Sequence, residues 1–155
     1  MTTHRLGRDI VVDDSYDILV AGGCPTCSAA AICAARQGAK VLLAEATGCL
    51  GGMGTSGLVS TFGPVSDGKR MLVGAFLKEL VESLHQSGNL GPHVVSDFLY
   101  SQLNRWVPFK PEALKRTLDE MAQNAGVDVR FFTRVIDAEV ADGVVEGAVI
   151  SNVEG

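Results

Sequence analysis

Cysteines and glycines that could do chemistry lie together in one short segment of the sequence. The segment follows an apolar run and reads Gly22-Gly23-Cys24-Pro25-Thr26-Cys27. A Cys-x-x-Cys pair at the start of a helix favours thiolate redox chemistry, because the helix N-terminus lowers the pKa of a thiol there. A glycine-led turn at the same place binds diphosphate through backbone N–H groups and the helix N-terminus. The segment therefore predicts nucleotide binding, thiol chemistry, or both.

A carboxylate favours the nucleotide interpretation. Glu45 follows the turn by about 20 residues, the spacing at which an acid of a dinucleotide-binding βαβ unit accepts hydrogen bonds from a ribose. The expected fingerprint is G-x-G-x-x-G, in which Gly22 is the first glycine, whereas Cys24 and Cys27 replace the second and third. Cys24 puts a side chain where phosphate would approach, and Cys27 puts one between helix and strand. Both changes are expected to weaken ligand binding.

The flanking sequence predicts the elements that position these residues. Ile18 to Ala21 and Val41 to Ala44 are short apolar runs, typical of parallel strands buried on both faces. Ser28 to Gln37 is alanine-rich and predicts the helix between them, with Gly38 as its stop. A glycine-rich loop, too long for an ordinary connection, follows from Thr47 to about Gly68.

Two amphipathic helices are predicted further along. The first covers Met71 to His85, and Gly88 ends it. The second begins at Pro111 and stops at Gly126, and Asp97 to Leu103 is expected to be partly helical. The apolar faces comprise Val73, Phe76, Leu77, Leu80 and Leu84 in the first helix and Leu114, Leu118, Met121 and Ala122 in the second.

The C-terminal part predicts strands. Val127 to Val135 has the pattern of a third strand, and Asp142-Gly143 is a strong hairpin signal between Ile136 to Val140 and Val144 to Ile150. The fold class predicted is α/β, a Rossmann-type parallel sheet with flanking helices and a β-meander.

The composition limits the possible functions. A chain of 155 residues, 46% hydrophobic and 20% charged, is long and apolar enough for one globular domain. The formal charge of −5 provides no basic surface, so nucleic acid is not expected as a partner, and no apolar run is long enough to predict a membrane span. Residues 1–15 form a polar tail without the apolar core of a signal peptide, which predicts a cytoplasmic protein whose four cysteines are not structural disulfides.

Several stretches carry a family resemblance. They are Tyr16-Asp17-Ile18-Leu19-Val20-Ala21-Gly22-Gly23, Ala29-Ala30-Ala31, Val41-Leu42-Leu43-Ala44-Glu45, Cys49-Leu50-Gly51-Gly52-Met53, and Pro111-Glu112-Ala113-Leu114-Lys115-Arg116 through Gly126-Val127 to Thr133-Arg134-Val135. Over about residues 16–150 the chain resembles the N-terminal part of the FAD-dependent oxidoreductase family, which includes relatives of the flavin subunit of heterodisulfide reductase. The resemblance implies FAD as cofactor, oxidoreductase activity, and a small-molecule substrate or redox partner of unknown identity.

The resemblance also implies roles for individual residues. The diphosphate turn would consist of Gly22, Gly23, Cys24, Pro25 and Thr26. Glu45 would bind the adenosine ribose with Ala46 beside it, and Val135, on the third strand, would contact the adenine. Leu50, Gly51, Gly52 and Met53 would run along the flavin side of the cofactor. Family members continue well beyond this length, so residues 16–155 are expected to be a partial, apparently truncated FAD-binding domain.

Alternatives stay open at this point. The fingerprint does not distinguish FAD from NAD, and the preference for FAD rests on the resemblance. A non-catalytic fold remnant without flavin and a thiol-redox protein using Cys24 and Cys27 are alternative functions.

Cys49 could join that pair around a metal, and iron–sulfur clusters occur in relatives, but no second Cys-x-x-Cys or ferredoxin-like run is present, so no metal site is predicted. Cys33 is expected to be a small buried side chain. No catalytic acid or base is assigned.

Overall fold

The computed structural model describes residue 7 and residues 10–67, 72–91 and 106–153. Its strands are β1 (Ile18–Ala21), β2 (Val41–Ala44), β3 (Thr61–Phe62), β4 (Val107–Pro108), β5 (Asp128–Arg130), β6 (Arg134–Ala141) and β7 (Val144–Ser151). Its α-helices are α1 (Pro25–Arg36), α2 (Phe76–Gln86) and α3 (Pro111–Ala125). The predicted α/β class is confirmed.

The central sheet is parallel and has the strand order β1-β2-β5. All four residues of β2 are buried, because this strand has a neighbour on each side. The prediction that β1 is buried on both faces is wrong. Within the described residues β1 pairs only with β2, so it is an edge strand, and Ile18 is 38% exposed.

Helix α1 begins at Pro25, three residues before the predicted start at Ser28. Cys24 is the N-cap residue, with extended backbone, and its sulfur accepts the N–H of Cys27. Pro25 suits the first helical position because its missing N–H is not needed there. The helix therefore begins inside the predicted diphosphate turn, which places that turn directly at a helix N-terminus.

The other two helices follow the predicted pattern with one correction. Helix α3 begins at Pro111 and ends at Gly126, which has a left-handed backbone with φ of 79°, as predicted. Helix α2 begins at Phe76 rather than Met71, and Val73 lies before it, 42% exposed. Met71 and the segment 97–103 lie outside the described residues.

The main core lies between the three helices and the central sheet. Leu50, from the glycine-rich loop, is fully buried with the helix and strand residues of this core. The largest core side chains without exposed surface are Ile32, Leu43, Leu50, Leu80, Leu84, Leu114 and Leu118. Leu50 therefore anchors the glycine-rich loop to the same core that supports the helix N-terminus.

The predicted third strand, Val127 to Val135, is interrupted. Strand β5 ends at Arg130, and Phe132 has a positive φ of 52° that breaks the extended backbone. Val135 consequently belongs to β6, the first strand of a hairpin, and not to the parallel sheet. The hairpin itself is as predicted, because Asp142 and Gly143 both have the positive φ that a two-residue turn needs. No helix in the described part of the chain could span a membrane.

Candidate functional site

Glu45 connects the two loops at the carboxyl edge of the sheet. It follows β2 and is only 8% exposed. Its Oε2 accepts the N–H of Gly23 at 2.6 Å, and its Oε1 accepts the N–H of Thr47 at 2.6 Å and the Thr47 hydroxyl at 2.7 Å. The carboxylate thus holds the glycine turn after β1 against the loop after β2.

These contacts keep Glu45 ionised. Burial alone would raise the pKa of this carboxyl, but the hydrogen bonds from Thr47 and from the Gly23 N–H outweigh burial and lower it below its ordinary value. The positive charge of Arg134 lowers the pKa further. A buried anion therefore lies at the edge of the sheet at neutral pH.

Beside Glu45 lies an open cleft of about 300 Å³. Its lining residues come from the ends of β1 and β2 and from the start of the hairpin; they are Ala21, Gly22, Ala44, Glu45, Ala46, Thr133, Arg134, Val135 and Ile136. Four residues predicted for the nucleotide site, Gly22, Glu45, Ala46 and Val135, are therefore brought together. In open α/β sheets, ligands bind in this position, outside the carboxyl ends of the strands.

The predicted diphosphate turn lies at the N-terminus of α1, where the two sulfur atoms meet. Cys24 Sγ is 3.3 Å from Cys27 Sγ and 3.5 Å from the Cys27 N–H nitrogen. The Cys27 thiol also donates to the Ala21 carbonyl at 3.8 Å. The Cys24 sulfur thus accepts an N–H group that a diphosphate at this helix N-terminus would use.

The environment makes the two thiols unequal. Burial raises the pKa of Cys24, but hydrogen bonds from Cys27 and from the Thr26 N–H outweigh it, so this pKa lies below its ordinary value. Burial also raises the pKa of Cys27, and the adjacent Cys24 sulfur raises it further. Cys24 is therefore the thiol that ionises first.

The predicted flavin-side segment lies against the same turn. Gly51 donates its N–H to the Gly23 carbonyl at 2.7 Å, and a short 3-10 helix follows at Gly52–Gly54. A Cβ added to Gly52 would lie 3.1 Å from the Cβ of Cys24. Met53 is 66% exposed, so its side chain faces outward from this contact.

Some residues of the site escaped the sequence prediction. Thr47 binds the Glu45 carboxylate, and Thr133 donates its N–H to the Glu45 carbonyl at 2.9 Å. Arg134 lines the cleft and supplies positive charge. A hydroxyl two residues beyond a strand-end acid was the available signal for Thr47, since threonine side chains often bind nearby polar groups in turns. Thr133 and Arg134 had no such signal, because the hairpin brings them to the cleft.

The remaining cysteines lie apart from this pair. Cys33 is exposed on α1, so the prediction that it is buried is wrong. Cys49 contacts the Ser56 hydroxyl at 3.2 Å. All four cysteines are free, and in the described ranges no three His, Cys, Asp or Glu side chains are grouped closely enough to hold a metal. The alternative with Cys49 as a third metal ligand therefore has no geometric support.

Replacing Gly23 with alanine is expected to destabilise the site and the fold. The added Cβ would lie 2.6 Å from Leu50 Cδ2, in the core, and 3.0 Å from Glu45 Oε2. Such overpacking lowers the free energy of unfolding by about 1–3 kcal/mol. Urea denaturation measures it, with Gly74→Ala as the matched control, since a Cβ at Gly74 meets no atom within 4 Å. Equal stability of the two variants would contradict the close approach at Gly23.

The geometry defines a class of protein. A parallel sheet, a glycine-led turn into a helix, and a buried acid at the carboxyl edge are the parts of a dinucleotide-binding Rossmann-type fold. The sequence matches the family described as FAD dependent oxidoreductase over residues 17–155. The chain belongs to the FAD-dependent oxidoreductase family, which confirms the resemblance seen in the sequence and FAD as the cofactor that it implies.

Solved structures with the same fold include those of three different proteins. A geranylgeranyl bacteriochlorophyll reductase-like protein from Thermoplasma acidophilum is 22% identical with a TM-score of 0.61, over 90% of this chain and 36% of that one. THI4 from Thermovibrio ammonificans is 18% identical with a TM-score of 0.58, and the match covers 88% of this chain and 48% of the THI4 chain. The myxobacterial chondrochloren halogenase CndH, a variant of FAD-dependent halogenases, is 18% identical with a TM-score of 0.56. This match covers 90% of this chain and 34% of the halogenase chain.

These likenesses concern the fold, because the identities are low. The chain spans about a third to a half of the length of these three structures. No curated protein matches the sequence significantly.

Proposed function

We propose that this chain supplies the adenosine and diphosphate end of the FAD site in an FAD-dependent oxidoreductase. The observation that carries the proposal is that Gly22, Glu45, Ala46 and Val135 line one cleft together at the carboxyl edge of the sheet. When bound, FAD supplies the hydride or electron transfer chemistry, and the protein orients it. Residues 16–155 are proposed to act as one partial FAD-binding domain, preceded by a polar tail.

Glu45 retains the capacity to bind a ribose. A carboxylate has about four lone-pair positions. Two on Oε1 accept from Thr47 and one on Oε2 accepts from Gly23, which leaves one position on Oε2 for a ribose hydroxyl. The Gly23 and Thr47 bonds also fix the carboxylate orientation, so its rotation is restricted before the nucleotide binds. Glu45 thus binds the nucleotide and holds the turn at the same time.

The residues fit the two parts of the cofactor unequally. The cleft beside Glu45 offers polar and apolar contacts for an adenosine. At the start of α1, Cys24 Sγ competes with the diphosphate for the Cys27 N–H. Weak binding through the adenosine end, and little turnover by this chain alone, are the expected result. A non-catalytic remnant without flavin is the competing function, and the same sulfur atom supports it.

Reconstitution tests the proposal. The reduced chain is incubated with FAD, separated from free flavin, and examined for visible flavin absorbance, while calorimetry compares FAD, NAD and AMP. We expect FAD and AMP to compete for one site. Binding of NAD in preference to FAD would overturn the choice of cofactor. No detectable binding of FAD or AMP at millimolar concentration would favour the flavin-free remnant.

The finer assignments are also part of the proposal. The substrate is proposed to be a small molecule or a redox partner, and a cytoplasmic compartment agrees with four free thiols. The closer relationship to the flavin subunit of heterodisulfide reductase stays a prediction from the sequence.

A further inference from the structure

Two thiols of this protein are in direct contact in the predicted diphosphate turn, next to the cleft that Glu45 lines. The sulfur atoms of Cys24 and Cys27 are 3.3 Å apart at the N-terminus of α1. A disulfide bond is about 2.05 Å long, so the sulfurs need to approach by only about 1.3 Å. Both side chains are partly exposed, which gives a small reagent access to them. The geometry therefore permits a bond between residues of one helical turn.

We propose that Cys24 and Cys27 form a dithiol that exchanges with low-molecular-weight disulfides, with Cys24 as the attacking thiol and Cys27 as the resolving thiol. The Cys27 N–H faces the Cys24 sulfur and stabilises it as a thiolate. Cys27 bonds instead to the Ala21 carbonyl, an acceptor that stabilises the protonated thiol. The two positions therefore differ in the way that the two roles require.

The reaction is an exchange of sulfur–sulfur bonds. The Cys24 thiolate attacks one sulfur of a small disulfide, forms a mixed disulfide, and releases the other half as a thiolate, which takes up a proton. Cys27 then loses its proton to solvent, attacks the Cys24 sulfur, and releases the second half as a thiol. The protein dithiol loses two electrons and two protons, and the small disulfide gains them and becomes two thiols.

The other cysteines do not take part in this exchange. Cys33 is exposed on α1, and Cys49 contacts the hydroxyl of Ser56 rather than a thiol. They serve as internal controls, because either can form a mixed disulfide with a small reagent but has no thiol in contact to resolve it.

Oxidised glutathione is the probe for the experiment. The reduced protein is equilibrated with graded ratios of oxidised to reduced glutathione, quenched with acid, alkylated, and mapped by mass spectrometry. We expect loss of two hydrogen atoms and a link between Cys24 and Cys27. In the Cys27→Ser variant, a mixed disulfide between glutathione and Cys24 is expected to accumulate. In the Cys24→Ser variant, no mixed disulfide is expected to accumulate on Cys27. Cys33→Ser leaves the link unchanged.

A second measurement needs no variant. Alkylation of the wild-type protein at neutral pH is expected to be faster at Cys24 than at Cys27, because the lower pKa of Cys24 leaves more of it as thiolate, and this gain outweighs the lower nucleophilicity of that thiolate. A dithiol that stays reduced at every glutathione ratio would overturn the proposal. Faster alkylation at Cys27 would overturn the assignment of roles. Neither result depends on FAD, so the nucleotide proposal is tested separately.

Discussion

The variant with both Cys24 and Cys27 replaced by glycine is expected to bind FAD roughly 10- to 100-fold more tightly than the wild-type chain. Removing the Cys24 sulfur frees the Cys27 N–H at the start of α1. A hydrogen bond to a charged group contributes about 1.5–3 kcal/mol, which corresponds to that change in the dissociation constant. Removing the Cys27 side chain also opens the space between α1 and the end of β1.

Titration of FAD by fluorescence or calorimetry measures this change. Cys33→Ala is the matched control, because it removes an exposed thiol from the same helix and leaves the turn intact. Glycine in the first turn is expected to lower the helix stability by up to about 1 kcal/mol, so affinities are compared below the melting transition of both proteins. Unchanged affinity in the double variant would show that the sulfur atoms do not obstruct the diphosphate.

Replacing Glu45 with glutamine is expected to weaken both the fold and the nucleotide site. The variant keeps the size of the side chain but replaces one carboxylate oxygen, an acceptor, with an NH2 group, a donor. This NH2 group then faces the N–H donor of Gly23 or of Thr47. Leaving such a buried donor unsatisfied destabilises by about 1–3 kcal/mol. FAD affinity is expected to fall by about tenfold, since one hydrogen bond to the ribose is lost.

The effect of Glu45→Gln has a distinct pH dependence. The folded-state pKa of Glu45 lies below its unfolded value, because Thr47 and Gly23 bind the ionised form. The stability that Glu45 contributes is therefore fully present above the unfolded pKa of about 4.3 and is lost as the pH falls through the folded pKa. Urea denaturation from pH 7 to pH 3 is expected to show the difference between wild type and variant shrinking on acidification.

An exposed carboxylate provides the control for this series. Glu146→Gln removes the same charge from an exposed position on β7 and is expected to change the free energy of unfolding by less than about 0.5 kcal/mol. If Glu45→Gln proved as stable as Glu146→Gln at pH 7, the bonds from Thr47 and Gly23 would not contribute to the fold. The role of Glu45 would then be limited to the ligand.

Much of the fold was predictable from local patterns in the sequence. The bounds of β1 and β2 follow from short apolar runs, and Pro111 and Gly126 mark the ends of α3. The hairpin follows from Asp142-Gly143, because few residue pairs adopt two positive φ angles in succession. The spacing between Gly22 and Glu45 predicted a dinucleotide-binding βαβ unit, and the two residues line one cleft in the structure. All of these signals act over a few residues or one βαβ unit.

The tertiary structure decided the features that depend on distant partners. Strand β1 is half exposed because it lies at an edge of the described sheet. Val135 belongs to the hairpin because the left-handed backbone at Phe132 ends the extended segment before it. The sequence predicted an acid for a ribose, but folding buried Glu45 and bonded it to Gly23, 22 residues away. The Cys-x-x-Cys motif likewise identified two cysteines, but it is the start of α1, with Cys24 as its N-cap, that places their sulfur atoms 3.3 Å apart. Sequence patterns record which local conformation each residue favours, whereas burial and pKa depend on the groups that packing brings beside it.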